Sequence, residues 1–178
     1  MSTFVAIAMA IAFAPQASAQ GAIEIAGRTA ITGVFSVISS RPDKGGDSDT
    51  VLLGTTITRT TPNARWEYGG GFSILASYND FADVYAVTPT GQFRINSNFM
   101  GPEENILLFA GAVAGITFIQ TRTSGLGTQS DTLFVIGPKF GAEFYFAPNA
   151  AIQLEDTVLI DSDSGVTNNM TIGFKFLF

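Results

Sequence analysis

The sequence predicts an all-β fold, a closed eight-stranded antiparallel up-and-down barrel that crosses a membrane with its strands. Three observations carry that expectation. Eight segments alternate apolar and polar residues with the period of two that extended strands require, and clusters of Gly, Pro, Asn, Asp and Ser separate them. One face of nearly every segment is apolar and aromatic while the other holds a few balanced charges, the reverse of a soluble barrel. The last segment places Met170, Ile172, Phe174, Phe176 and Phe178 on one side and Thr171, Gly173, Lys175 and Leu177 on the other, so the chain ends on its apolar face.

Composition narrows the possibilities further. Hydrophobic residues make up 46% and charged residues 13%, about half the usual charged share. No apolar run reaches the roughly 18 residues of a membrane-spanning helix, since the best candidate, Ile106 to Ile119, is too short. The absence of cysteine excludes a disulfide-stapled secreted scaffold. A net charge of −6 argues against nucleic acid as a partner, because nucleic-acid binding needs a basic footprint.

Residues 1–19 read as a cleaved signal peptide, with an apolar run from Phe4 to Ala14, a break at Pro15 and Ala17-Ser18-Ala19 as the cleavage site. Its n-region departs from the pattern in carrying no Lys or Arg. Residues 20–178 are then one domain, the barrel itself.

The first strand is expected over Ala22 to Ile38, with Ile23, Ile25, Ile31, Phe35 and Val37 on one face and Glu24, Arg28, Thr32 and Ser36 on the other. The second runs from Asp49 to Thr60 and ends at the turn Thr61-Pro62-Asn63-Ala64. The third, Arg65 to Ser77, alternates most cleanly, with Trp66, Tyr68, Phe72 and Ile74 opposite Glu67, Gly69, Gly71 and Ser73. A loop over Tyr78 to Ala82 leads to the fourth, Asp83 to Asn96, which sets Tyr85, Val87, Phe93 and Ile95 against Thr88, Gln92 and Arg94.

In the fifth, Asn105 to Gln120, alternation is blurred; Gly111, Gly115 and Thr117 mark an inner face, with Leu108, Ala112, Ile116 and Phe118 outside. A loop is expected over Thr121 to Ser130. The sixth, Asp131 to Phe146, places Phe134, Ile136, Phe140 and Phe144 against Lys139 and Glu143, then turns at Ala147-Pro148-Asn149. The seventh, Ala150 to Ile160, places Ile152, Leu154 and Val158 against Gln153, Glu155 and Thr157. Asp156 falls on the apolar parity, where a carboxylate is costly; a bulge at Glu155-Asp156 would turn it inward, and the sequence leaves the register there open.

Sorting charges by face identifies the candidate site. The polar faces carry Glu24, Glu67, Glu143 and Glu155 against Arg28, Arg94, Lys139 and Lys175, which sum to zero. Buried charges are tolerated when paired, so this set predicts a lumen filled by salt bridges. In hydrocarbon a sheet must also close on itself to satisfy its edges. The connections after the odd-numbered strands are acidic and polar, with eight acids against Arg41, Lys44 and Arg122, which marks them as outer loops; those after the second and sixth are tight turns.

Gly137 to Glu155, including Gly141, Glu143, Tyr145, Pro148, Asn149 and Glu155, together with the terminal Phe178 and the signal peptide, resembles the small eight-stranded outer-membrane barrels of the OmpA-transmembrane-domain and OmpX-like superfamily. The resemblance covers residues 20–178. It implies a Gram-negative outer-membrane location, outer-membrane lipid and lipopolysaccharide as surroundings, and a lumen of Arg/Lys–Glu pairs. It also implies that Phe174, Phe176 and Phe178 serve as the signal read by the outer-membrane assembly machinery.

No enzyme is expected. The chain has neither histidine nor cysteine, which removes the usual general base and thiol nucleophile. No cofactor or metal is expected either, because Asp161 to Gly165 and Asp43 to Asp49 lack the full spacing of a calcium loop. The expected role is structural or surface-interacting, with a narrow channel or transporter for small solutes as the alternative.

Overall fold

The structure is a computed structural model that describes residues 23–40, 48–79, 82–101 and 103–178. Its eight strands are β1 (Thr29–Ser40), β2 (Ser48–Thr60), β3 (Trp66–Asn79), β4 (Ala82–Asn96), β5 (Ile106–Thr123), β6 (Gly127–Ala147), β7 (Ala150–Asp161) and β8 (Val166–Leu177). Each pairs antiparallel with the next, and β8 pairs with β1 to close the barrel, as the alternation predicted. The signal-peptide segment and the acids and bases from Arg41 to Asp47 lie outside the described residues.

Burial follows the parity read from the sequence, with the usual order reversed. Glu143 and Lys175 are 0% exposed while Phe134 is 67% exposed. Strand five, where alternation was blurred, keeps its odd positions inside, with Leu107, Phe109 and Val113 buried and Leu108 and Phe118 exposed. Aromatic pairs stand on the outer wall near both ends. Trp66 stacks on Phe93 at 5.0 Å at the turn end, and Tyr78 meets Tyr85 edge-on at 5.8 Å at the loop end.

Two expectations are corrected, and one register left open by the sequence is resolved. β1 starts at Thr29, not Ala22, because Gly27 adopts a φ of 69° and turns the chain. Gly27 N donates to the Thr61 carbonyl at 3.1 Å, and the preceding Ile25 is buried across the barrel mouth. The loop expected over Thr121 to Ser130 is mostly strand, since β5 and β6 run on as a hairpin that turns only at residues 124–126. From Gly127 to Thr132, β6 is exposed on both faces. The register left open at Glu155-Asp156 holds no bulge: Phe140↔Asp156 and Gly141↔Glu155 pair in unbroken register, and the ladder shifts only between Tyr145 and Ala147, beside the turn. Asp156 therefore stays on the outer parity, opposite Phe140 and Met170.

Candidate functional site

Four strands aim charged side chains into one layer of the lumen. Glu67 on β3 and Arg94 on β4 are register partners, while Glu143 on β6 and Lys175 on β8 approach from across the barrel. Arg94 Nη2 donates to Glu67 Oε2 at 2.7 Å and also to Glu143 Oε1. Lys175 Nζ lies 2.9 Å from Glu67 Oε2 and 3.0 Å from Glu143 Oε1. Each cation thus bridges both carboxylates, and the tetrad is neutral. All four residues are buried.

Neutral groups complete the coordination. Thr58 Oγ1 donates to Glu67 Oε1 at 2.5 Å, and the Tyr145 hydroxyl donates to Glu143 Oε2 at 2.7 Å. The Arg94 guanidinium lies 4.2 Å from the centre of the Phe109 ring, which adds a cation–π contact. Gly141 makes room for that ring, because a Cβ there would come within 2.6 Å of Phe109 Cζ.

A second pair lies one step towards the loop end. Lys139 Nζ sits 2.8 Å from Glu155 Oε2 and donates to Gln92 Oε1. Gln153 links the two layers: Arg94 Nη1 donates to its Oε1 at 3.4 Å, and its Nε2 donates to Glu155 Oε2 at 2.8 Å. Glu155 also accepts a bond from Thr157 Oγ1 at 3.1 Å.

Below the tetrad the turn end is closed by an apolar cluster of Ile25, Ala30, Leu107, Tyr145, Ala151 and Leu177. The β4–β5 connection folds over it, with Phe99 edge-on to Tyr145 at 5.4 Å. Side chains thus block the bore in consecutive layers, one apolar and two ionic. The arrangement neutralises buried charge and ties opposite walls together.

Six of the eight predicted lumen residues therefore meet in the bore: Glu67, Arg94, Glu143 and Lys175 in one layer, Lys139 and Glu155 in the next. Glu24 and Arg28 stand outside it. Glu24 is exposed in the segment before the Gly27 turn, and Arg28 Nη2 reaches the Leu177 carbonyl at the rim, at 3.5 Å. The charge-only sorting missed Tyr145, Gln92, Gln153 and Thr58 as members of the network. Tyr145, Gln92 and Gln153 each share the inward parity of a charged neighbour two residues away, and Thr58 lies in an inward row of threonines between Thr56 and Thr60; that was the signal available for them. Phe174, Phe176 and Phe178 all lie exposed on the outer wall near the turn end.

No protein-family model matches the chain, and no curated protein matches it. Solved structures do match. The attachment invasion locus protein Ail of Yersinia pestis is 15% identical, with a TM-score of 0.56 over 86% of this chain and 99% of that one. Neisserial surface protein A is 10% identical, with a TM-score of 0.58 over 86% of this chain and 98% of that one. A second structure of Ail, in complex with the heparin analogue sucrose octasulfate, matches at 16% identity and a TM-score of 0.55, over 86% of this chain and 99% of that one. These neighbours are bacterial outer-membrane proteins. The chain thus has the fold of the small eight-stranded outer-membrane β-barrels.

Proposed function

We propose that this protein is an outer-membrane barrel whose role is structural or surface-interacting, and that it neither conducts solutes nor catalyses a reaction. The observation that carries this reading is the bore itself, where a neutral ionic tetrad, a second ion pair and an apolar plug follow one another along the axis. The two aromatic pairs on the outer wall support insertion in a bilayer, because such rings sit at membrane interfaces. Residues 1–19 act as the export signal, and Phe174, Phe176 and Phe178 present the terminal strand to the assembly machinery.

The loop end is the surface offered to partners. Its described residues include Asp49, Asp83, Asp131, Asp161 and Asp163 against Arg122, and the β5–β6 hairpin projects there with Leu126 86% exposed. One Ail structure holds a sulfated heparin analogue; the acidic loop end here favours cationic partners, or divalent cations shared with lipopolysaccharide, over such a polyanion.

Planar-bilayer recording with the refolded chain tests the reading. The expected result is no conductance, both for the natural chain and for Lys139→Met. Selective conductance that Lys139→Met abolishes would establish a channel instead.

A further inference from the structure

The turn end holds a cavity that the lumen network does not use. It lies between the β2–β3 turn and the β4–β5 connection, measures about 600 Å³ and is lined by Asn63, Arg65, Asn96, Ser97, Asn98 and Phe99. That size falls in the range of small-molecule sites. Ile25 and Leu107, both buried, close its floor, while Asn63, Arg65, Ser97 and Asn98 stand exposed at its mouth.

Hydrogen bonds tie the two walls of the cavity together. Asn96 Nδ2 donates to the Ala64 carbonyl at 3.2 Å, and Asn96 N donates to the Arg65 carbonyl at 2.8 Å. Ala64 itself keeps a φ of 60°, a conformation that L residues rarely adopt and that surrounding contacts must impose. Asn63 Oδ1 is occupied, accepting from Thr61 Oγ1 at 2.6 Å and from Arg65 N at 3.2 Å, which leaves its amide nitrogen as the free donor. Among the described residues no acid pairs with Arg65 and no group bonds the Asn98 side chain. The mouth therefore presents one unpaired cation and two amides able to donate, with no carboxylate in the lining.

We propose that this cavity binds an acidic sugar, its carboxylate on the Arg65 guanidinium and its hydroxyl or acetamido groups on the Asn63 and Asn98 amides. Arginine presents a planar fork that meets a carboxylate in two parallel bonds. Side-chain amides donate and accept, as the groups of a sugar do. The half-buried Phe99 ring offers an apolar surface to the C–H face of the sugar. Charge selects the anion. The lining holds a single positive charge, and Glu24, Glu103 and Glu104 stand exposed in the neighbouring segments, so a singly charged carboxylate is balanced there whereas a phosphate dianion adds to the local excess of negative charge.

The compartment that the cavity faces rests on the membrane placement proposed above, which puts the turn end on the periplasmic side; the binding itself is read without it. Calorimetric titration of the refolded chain in detergent micelles compares N-acetylmuramic acid with N-acetylglucosamine, the same amino sugar without the lactyl carboxylate, and with inorganic phosphate. The expected result is saturable binding of the acidic sugar, about tenfold tighter than of the neutral one. Arg65→Gln should weaken it about tenfold and Asn98→Ala about fivefold. Both side chains are exposed, so heat-modifiable migration in SDS should persist in both variants and show them folded. Equal binding of the two sugars, binding of neither, tighter binding of phosphate, or acidic-sugar binding indifferent to Arg65→Gln overturns the proposal. Failure of the natural chain to insert into liposomes would instead remove the membrane placement and leave the binding result standing.

Discussion

The two ends of β6 are continuous in the chain and opposite in kind. Near its turn, Tyr145, Glu143 and Lys139 are buried, every charge is paired, and Gly141 leaves room for an aromatic ring. Past Val135, where its pairing with β7 ends, the same strand runs out as half of a hairpin exposed on both faces. One strand thus carries fully buried, paired residues at one end and residues exposed on both faces at the other. Stability is concentrated in one half, and surface chemistry is free to vary in the other.

The sharpest way to break that contrast is Glu143→Leu. It leaves Arg94 and Lys175 sharing a single carboxylate in a buried layer, and removing one partner from a buried pair costs about 3–5 kcal/mol. Urea unfolding in bilayers should record that loss. Adding Lys175→Met to it restores neutrality in the layer, so the double variant should recover part of the stability rather than lose more. A Gly141→Val change is expected to cost about 1–3 kcal/mol or more, because its Cβ would run into the Leu154 carbonyl oxygen as well as the Phe109 ring on which Arg94 rests; the same titration measures it. The smallest effect belongs to the hairpin tip. Leu126→Ser, at an exposed position, should shift unfolding by no more than about 0.5 kcal/mol, while any ligand of the loop end should bind it differently in a surface-plasmon assay.

Much of this contrast was legible in the sequence, and the reason is parity. Over the apolar band of the outer wall nearly every outward residue is apolar, so period-two alternation reveals both the strands and the inward set Glu67, Arg94, Lys139, Glu143, Glu155 and Lys175. Beyond that band the rule lapses. From Thr121 to Ser130 both faces meet water, alternation carries no information, and a two-stranded hairpin reads as a loop. Glu24 and Arg28 misled for a different reason. Their alternation matches that of β1, but Gly27 turns the chain between Glu24 and the strand and leaves Arg28 at the rim, where it reaches the Leu177 carbonyl; a parity count does not register a change of direction. Tyr145 and Gln153 escaped because a sum of charges passes over neutral donors. Asp156 is the instructive exception, since the alternation placed it outward and the unbroken register keeps it there.

The ladder between β1 and β8 joins only six residue pairs, from Ala30↔Leu177 to Phe35↔Ile172, whereas β5 and β6 share eighteen. It also unites the most distant parts of the sequence, so its loop-closure cost is the largest in the barrel. A cylinder held by unequal seams opens along the shortest one. Hydrogen exchange should therefore reach the amides that bridge β1 and β8 well before those that bridge β5 and β6, so that the barrel begins to come apart, like a zipper with few teeth, at the seam where its two chain ends meet.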